Sequence, residues 1–193
     1  MTKIVTKELN ADNKRKVKIC FGIESILSFI IKTILSILVF ILFGVLDLAL
    51  ISMITSSILR YSSGGTHCNT FLKCLIFSSI LFSVIALLSR ILIISNETYV
   101  IISIFLSITL LYKSPVHTKE KPLKNQNKKY KIKLISFVIL LIYLISPLIF
   151  NINDEIKNVL LLSSAFQVFS LTYLGMLFFT YINKFELLSK GGE

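Results

Sequence analysis

A thiol and an imidazole seven residues apart are the most reactive pair in this sequence. His67 and Cys74 lie in the stretch Arg60-Tyr61-Ser62-Ser63-Gly64-Gly65-Thr66-His67-Cys68-Asn69-Thr70-Phe71-Leu72-Lys73-Cys74, which holds one of two histidines and two of three cysteines. The thiolate is the nucleophilic form of cysteine, and only a few per cent is present at neutral pH for an unassisted thiol. A neighbouring imidazole can take the proton and then hold the thiolate as an ion pair. On one uninterrupted helix the two Cα atoms would stand about 10.5 Å apart, too far for a hydrogen bond. The pair therefore needs a turn before the helix. Gly64 and Gly65 supply residues that turn at little steric cost.

Other readings of the same residues stay open. A free cysteine near a helix end is often a small buried hydrophobe. His67, Cys68 and Cys74 are three potential metal ligands, but Cys68 adjoins His67 and no C-x-x-C accompanies them, so no metal and no cofactor is expected. Arg60 binds a substrate carboxylate, or orders the loop, or is simply an interfacial anchor. Cys20 reads as packing and His117 as solvated. There is no Ser-His-Asp set, no H-E-x-x-H and no P-loop.

The surroundings are hydrocarbon-compatible. The 193 residues are 54% hydrophobic, with a mean hydropathy of +0.81. Apolar runs of about 18 residues or more read as transmembrane helices. They lack the period-two alternation of a β-barrel. The fold class expected is all-α: a polytopic integral membrane protein forming a single domain over residues 1–193. The net charge of +11 would suggest nucleic acid in a soluble protein. Here it reads as lysine and arginine marking cytoplasmic loops, with membrane lipid and no nucleic acid as partner. Residues 1–18 are polar and the next apolar run is too long for a signal h-region, so no cleavable signal peptide is expected. The bias to Ile, Leu, Lys, Asn and Ser is that of a low-GC bacterium.

Taken in order, residues 1–18 form a basic cytoplasmic head. Residues 19–59 begin as an amphipathic interfacial stretch around Glu24 and Lys32, and Thr33 to Leu59 could span. If head and His67 are both cytoplasmic, an even number of crossings separates them. That predicts a re-entrant or two-span helical hairpin bending near Gly44–Asp47. Four further spans follow: 71–94, Tyr99–Tyr112, 132–150 and 156–182. The first turn between them falls at Ser95–Thr98 or, alternatively, at Ser89–Arg90, and an acidic outer turn falls at Asn151–Glu155. Arg90 is expected near the outer face. Residues 113–133 carry eight lysines against Glu120, and Pro115 and Pro122 argue against a regular helix through the first half.

The motif Arg60-x-x-x-Gly64-Gly65-x-His67, with Cys74 seven residues later, resembles the core of the AgrB family. These are accessory gene regulator membrane endopeptidases of Gram-positive quorum sensing. Cys68 stands where the family has alanine. The similarity extends to chain length, basic head, span pattern and Lys-rich loop. It implies a cysteine endopeptidase of the bacterial cell membrane, multi-pass, with the 60–74 segment on the cytoplasmic face. Cys74 is then the nucleophile and His67 the base. The substrate implied is an AgrD-like precursor peptide, cut before its acidic C-terminal tail through an acyl-enzyme thioester that closes to a thiolactone or lactone. Lys128, Lys129 and Lys131 in the basic loop would draw in that tail, and a homodimer is compatible with the family. Two rivals from other classes are a small transporter or peptide exporter, which tolerates Cys74→Ser, and a non-catalytic membrane scaffold, which tolerates loss of His67 as well.

Overall fold

The computed structural model describes residues 13–65, 70–114, 126–150 and 152–184. Among these the chain forms seven helices: α1 (Asn13–Leu42), α2 (Leu46–Ser63), α3 (Phe71–Ile91), α4 (Asn96–Lys113), α5 (Gln126–Ile149), α6 (Asp154–Ser170) and α7 (Tyr173–Lys184). The protein is all-α and polytopic. Three helices are long and apolar enough to cross a membrane: α1 over Gly22–Leu42, α3, and α5 over Lys129–Ile149. The bent pair α6–α7 is a fourth if it is taken as one span.

The boundaries follow local chemistry. α1 ends because Gly44 takes φ +64, a conformation glycine adopts without steric penalty. The amides of Val45 and Gly44 then return to the Phe40 and Ile41 carbonyls, at 3.1 and 3.0 Å, the paired bonds of a Schellman cap. The hairpin bend thus falls where expected. However, α1 runs unbroken from the amphipathic stretch to Leu42, so Thr33 to Leu59 is two helices and not one span. α3 runs through Ser89 and Arg90 to Ile91. The turn occupies 92–95, where Ser95 Oγ accepts from the Thr98 amide at 3.3 Å and caps α4. The alternative turn at Ser89–Arg90 is thereby excluded. Pro147 sits in the last turn of α5, near the end of its span as expected. Asn153 caps α6, and Asp154 and Glu155 occupy its first turn, where acids complement the helix dipole.

Two expected spans differ: α4, expected to cross at Tyr99–Tyr112, is not among the helices long and apolar enough to do so, and the expected single span over 156–182 is broken. α6 and α7 meet at 84°. Thr172 Oγ1 donates to the Phe169 carbonyl at 2.7 Å and accepts from the Gly175 amide at 3.2 Å, ending one helix and capping the next. A Cβ on Gly175 would run into the Phe169 carbonyl, so the sharp bend requires glycine there.

α6 is the centre of the molecule. It packs against α2, α3, α4, α5 and α7. It separates two apolar cores: Leu59, Tyr99, Leu110, Leu140, Leu161 and Val168 on one side, Phe40, Val45, Leu48, Ala86 and Val159 on the other. Its buried positions include Lys157, Asn158, Ser163, Ser164, Gln167 and Ser170, an unusually polar set for a core helix. The outward faces of α1, α4 and α5 are exposed Ile, Leu, Val and Phe, among them Ile26, Phe29, Ile101, Phe105, Ile135 and Val138, as lipid-facing surfaces should be. Hydroxyls within the apolar helices bond back to carbonyls one turn earlier, as Ser103 does to Tyr99 and Ser136 to Ile132. Others bridge helices, as Ser36 to Ser79 at 2.8 Å and Ser163 to Ser52 at 2.9 Å.

A cysteine cleft at the turn between α2 and α3

α2 and α3 deliver the residues singled out in the sequence to one end of the bundle. Arg60 is in the last turn of α2. Cys74 is half-buried in the first turn of α3, its amide bonded to the Thr70 carbonyl at 3.1 Å. The two line one small cleft of about 70 Å³ with Ser56, Ser57, Ser78 and Gln167. Its apolar wall is Phe77, Leu81, Phe82, Phe166 and Phe179. Phe77 lies 6.1 Å from Phe166 and 5.5 Å, edge-on, from Phe179, so α3, α6 and α7 meet in an aromatic cluster. Ser56 Oγ is buried at the cleft and has no hydrogen-bond partner among the described residues.

The double glycine is held from α6. Gly64 and Gly65 have φ of +78 and +128, outside the range of L side chains. Gln167 is 1% exposed. Its Nε2 donates to the Gly64 carbonyl at 2.9 Å and to Ser63 Oγ at 3.2 Å. Ser63 Oγ in turn donates to the Leu59 carbonyl at 2.7 Å. A Cβ on Gly65 would lie 2.8 Å from Ser170 Oγ and 3.4 Å from Gln167 Nε2. Gly65 is thus required both by its backbone and by the closeness of α6.

The Accessory gene regulator B family model matches residues 1–171. The chain belongs to the AgrB family. An AgrB-like protein of Clostridium perfringens strain SM101 is 32% identical over 198 residues, covering 94% of this chain and 92% of the relative. A second from C. perfringens strain 13 is 29% identical with the same coverage, and one from Clostridium beijerinckii is 32% identical over 80% of this chain and 76% of its own. No solved structure matches. Membership makes this AgrB-family chain a membrane protein of the accessory gene regulator quorum-sensing system.

Of the residues predicted from sequence, Arg60, Gly64, Gly65 and Cys74 come together at this end. His67, Cys68 and Asn69 lie outside the described residues, as does His117. Lys128, Lys129 and Lys131 fall in the first turns of α5, which begins at Gln126, before the expected start at 132. Lys131 is exposed and Lys129 half-buried. Lysines at a helix N-terminus oppose the dipole, so their placement is not explained by helix stability. Sequence reasoning missed Gln167, Ser170 and the aromatic wall. An amide inside an apolar run was the available signal, because a polar group at that depth must find a partner.

Proposed function

We propose that this protein is a cysteine endopeptidase that removes the acidic C-terminal tail of an AgrD-like precursor peptide and leaves the remainder as a cyclic thiolactone or lactone. One observation carries the reading: Cys74 lines a cleft of about 70 Å³ shared with Arg60 and Gln167. The double-glycine turn beside it leads, two residues on, to His67.

His67 takes the thiol proton, and Cys74 Sγ attacks the carbonyl before the tail. The tetrahedral intermediate collapses as the C–N bond breaks, and His67 returns the proton to the leaving amine. The products are the free tail and a thioester on Cys74. A thiol or hydroxyl within the precursor then attacks the thioester, closing the ring and restoring the Cys74 thiol. No water is consumed in this second step, so water must be excluded until the ring closes. The aromatic wall of the cleft suits that requirement. In this reading Arg60, which lines the same cleft, would hold a carboxylate or carbonyl of the peptide.

The site sits at the cytoplasmic face in this reading. By the direction of the helices, Arg60, Lys73, Lys113, Lys129 and Lys131 stand toward the end that carries Cys74, and Asp47, Glu97, Asp154 and Glu155 toward the other together with Arg90 and Lys157, a net basic bias at the Cys74 end that accords with the positive-inside rule. The lysines at the start of α5 would attract the acidic tail to the same face.

The test is co-expression with a precursor encoded beside this chain. Processing should require Cys74 and His67, and the product should be one water lighter than the linear peptide. A linear product would remove the cyclisation half of the proposal. Processing by the Cys74→Ser variant would remove the peptidase itself and leave the exporter or scaffold readings.

A further inference from the structure

Gln167 is a buried amide on a helix remote in sequence from the motif, yet both protons of its Nε2 are directed at the motif's backbone and hydroxyl. One goes to the Gly64 carbonyl at 2.9 Å and the other to Ser63 Oγ at 3.2 Å. Ser63 Oγ passes a bond on to the Leu59 carbonyl, so α6 is tied to the last turn of α2 through two consecutive bonds. Ser170, one turn further along α6, occupies the space above Gly65. Gln167 also lines the Cys74 cleft. Packing alone would be served by leucine or methionine at this position, without the cost of burying an amide.

We infer that Gln167 is a positioning residue: it fixes the Ser63–Gly65 turn against α6 beside the Cys74 cleft, and so holds in place the point of the chain two residues before His67, the base of the peptidase reading. The inference rests on the peptidase reading above. Holding the turn from α6 makes the geometry of the thiol site depend on a helix that supplies no reacting atom. Misplacement of a reacting group by about 1 Å can cost on the order of 100-fold in rate.

The experiment uses the full chain in lipid nanodiscs with its precursor. Gln167→Met keeps side-chain length and removes both donors. Three quantities are read: kcat and KM for tail removal, the pH profile of Cys74 alkylation by iodoacetamide followed on the Cys74 peptide by mass spectrometry, and thermal unfolding. The expected result is a kcat lower by about 100-fold with KM changed by less than about 3-fold. The alkylation profile should move to that of His67→Ala, and the double variant Gln167→Met/His67→Ala should move no further, because both changes remove the same coupling. Ser63→Ala removes only one of the two acceptors; it should shift the profile in the same direction by less, and it serves where Gln167→Met does not fold. A wild-type kcat and alkylation profile in folded Gln167→Met, or in Ser63→Ala where that is the variant that folds, would overturn the inference and reduce Gln167 to packing, while leaving the peptidase reading intact. Undiminished processing by Cys74→Ser would instead overturn that reading and this inference with it.

Discussion

The two ends of this helical bundle spend their polar residues differently. At the end holding the α1–α2 turn, side chains fasten backbone. Arg90 donates to the Gly44 carbonyl at 3.1 Å, and Asn158 Nδ2 donates to the Ser89 and Leu92 carbonyls at 3.2 and 2.7 Å. Lys157, 6% exposed, pairs with Asp154 at 2.6 Å, bonds Asn96 Oδ1 at 3.1 Å and lies over the Tyr99 ring. At the other end, Gln167 fastens the Ser63–Gly65 turn, but Arg60, Cys74 and Ser56 border an open cleft. Buried polar atoms without a partner among the described residues occur at both ends, Ser56 Oγ at the cleft and Asn158 Oδ1 at the α1–α2 end, so they do not distinguish the two. The first end is fastened by side-chain bonds to backbone, whereas the second keeps a cleft lined by Arg60, Cys74 and Gln167.

Substitutions at the two glycine turns give the sharpest contrast. Gly65→Ala must relieve both a left-handed φ and the approach of Ser170 Oγ at 2.8 Å. It should abolish processing and destabilise by ~1–3 kcal/mol. Gly44→Ala meets open space and has only φ +64 to accommodate, so about 1–2 kcal/mol of stability is lost and processing per folded molecule stays at wild-type level. Equal effects of the two on activity would erase the distinction between the ends. Thermal unfolding and precursor cleavage, measured on the same samples, separate them.

Asn158→Leu is the next largest effect. It strips two bonds from the C-terminal end of α3 and should cost about 1–3 kcal/mol, read as a lower unfolding midpoint, with cleavage unchanged once corrected for folded protein. A selective loss of activity there would mean that the fastening end takes part in catalysis. Replacing Lys128, Lys129 and Lys131 by Gln should slow cleavage by several-fold at low salt and by less at high salt, since steering is screened over a Debye length of about 8–10 Å. Unchanged rates with unchanged topology would sink the steering role. Smallest is Lys32→Met, which removes a cation–π contact to Phe71 at 4.9 Å and should cost about 0.5–2 kcal/mol without altering the cleavage rate.

Much of this was legible in the chain. Uninterrupted apolar runs dictated membrane helices, and Gly44 announced the hairpin because its φ is one that few other residues accept. Arg60, Gly64, Gly65 and Cys74 were identifiable because polar residues and glycines interrupt an otherwise apolar sequence. The division of 156–182 into α6 and α7 was not legible. Hydropathy carries through Leu171 and Thr172 without a break, and the bend depends on a hydroxyl capping in both directions and on a glycine whose neighbour is only apparent in three dimensions. The central position of α6 was hidden for a related reason. Burial of Asn158, Ser163 and Gln167 reflects partners on α2 and α3, more than 60 residues away in sequence, which periodicity does not report.

The central claim is that Cys74 is the nucleophile of a peptide-processing site at the cleft end. Its most direct test is the intact mass of the protein after co-expression with its precursor, for wild type, His67→Ala, Cys68→Ser and Cys74→Ser. The account predicts a precursor-derived thioester on wild type and on Cys68→Ser, mapped to Cys74, and sharply diminished in His67→Ala. In Cys74→Ser both the thioester and tail release should be lost. An adduct that persists in Cys74→Ser and disappears in Cys68→Ser, or cleavage by every variant, would contradict it.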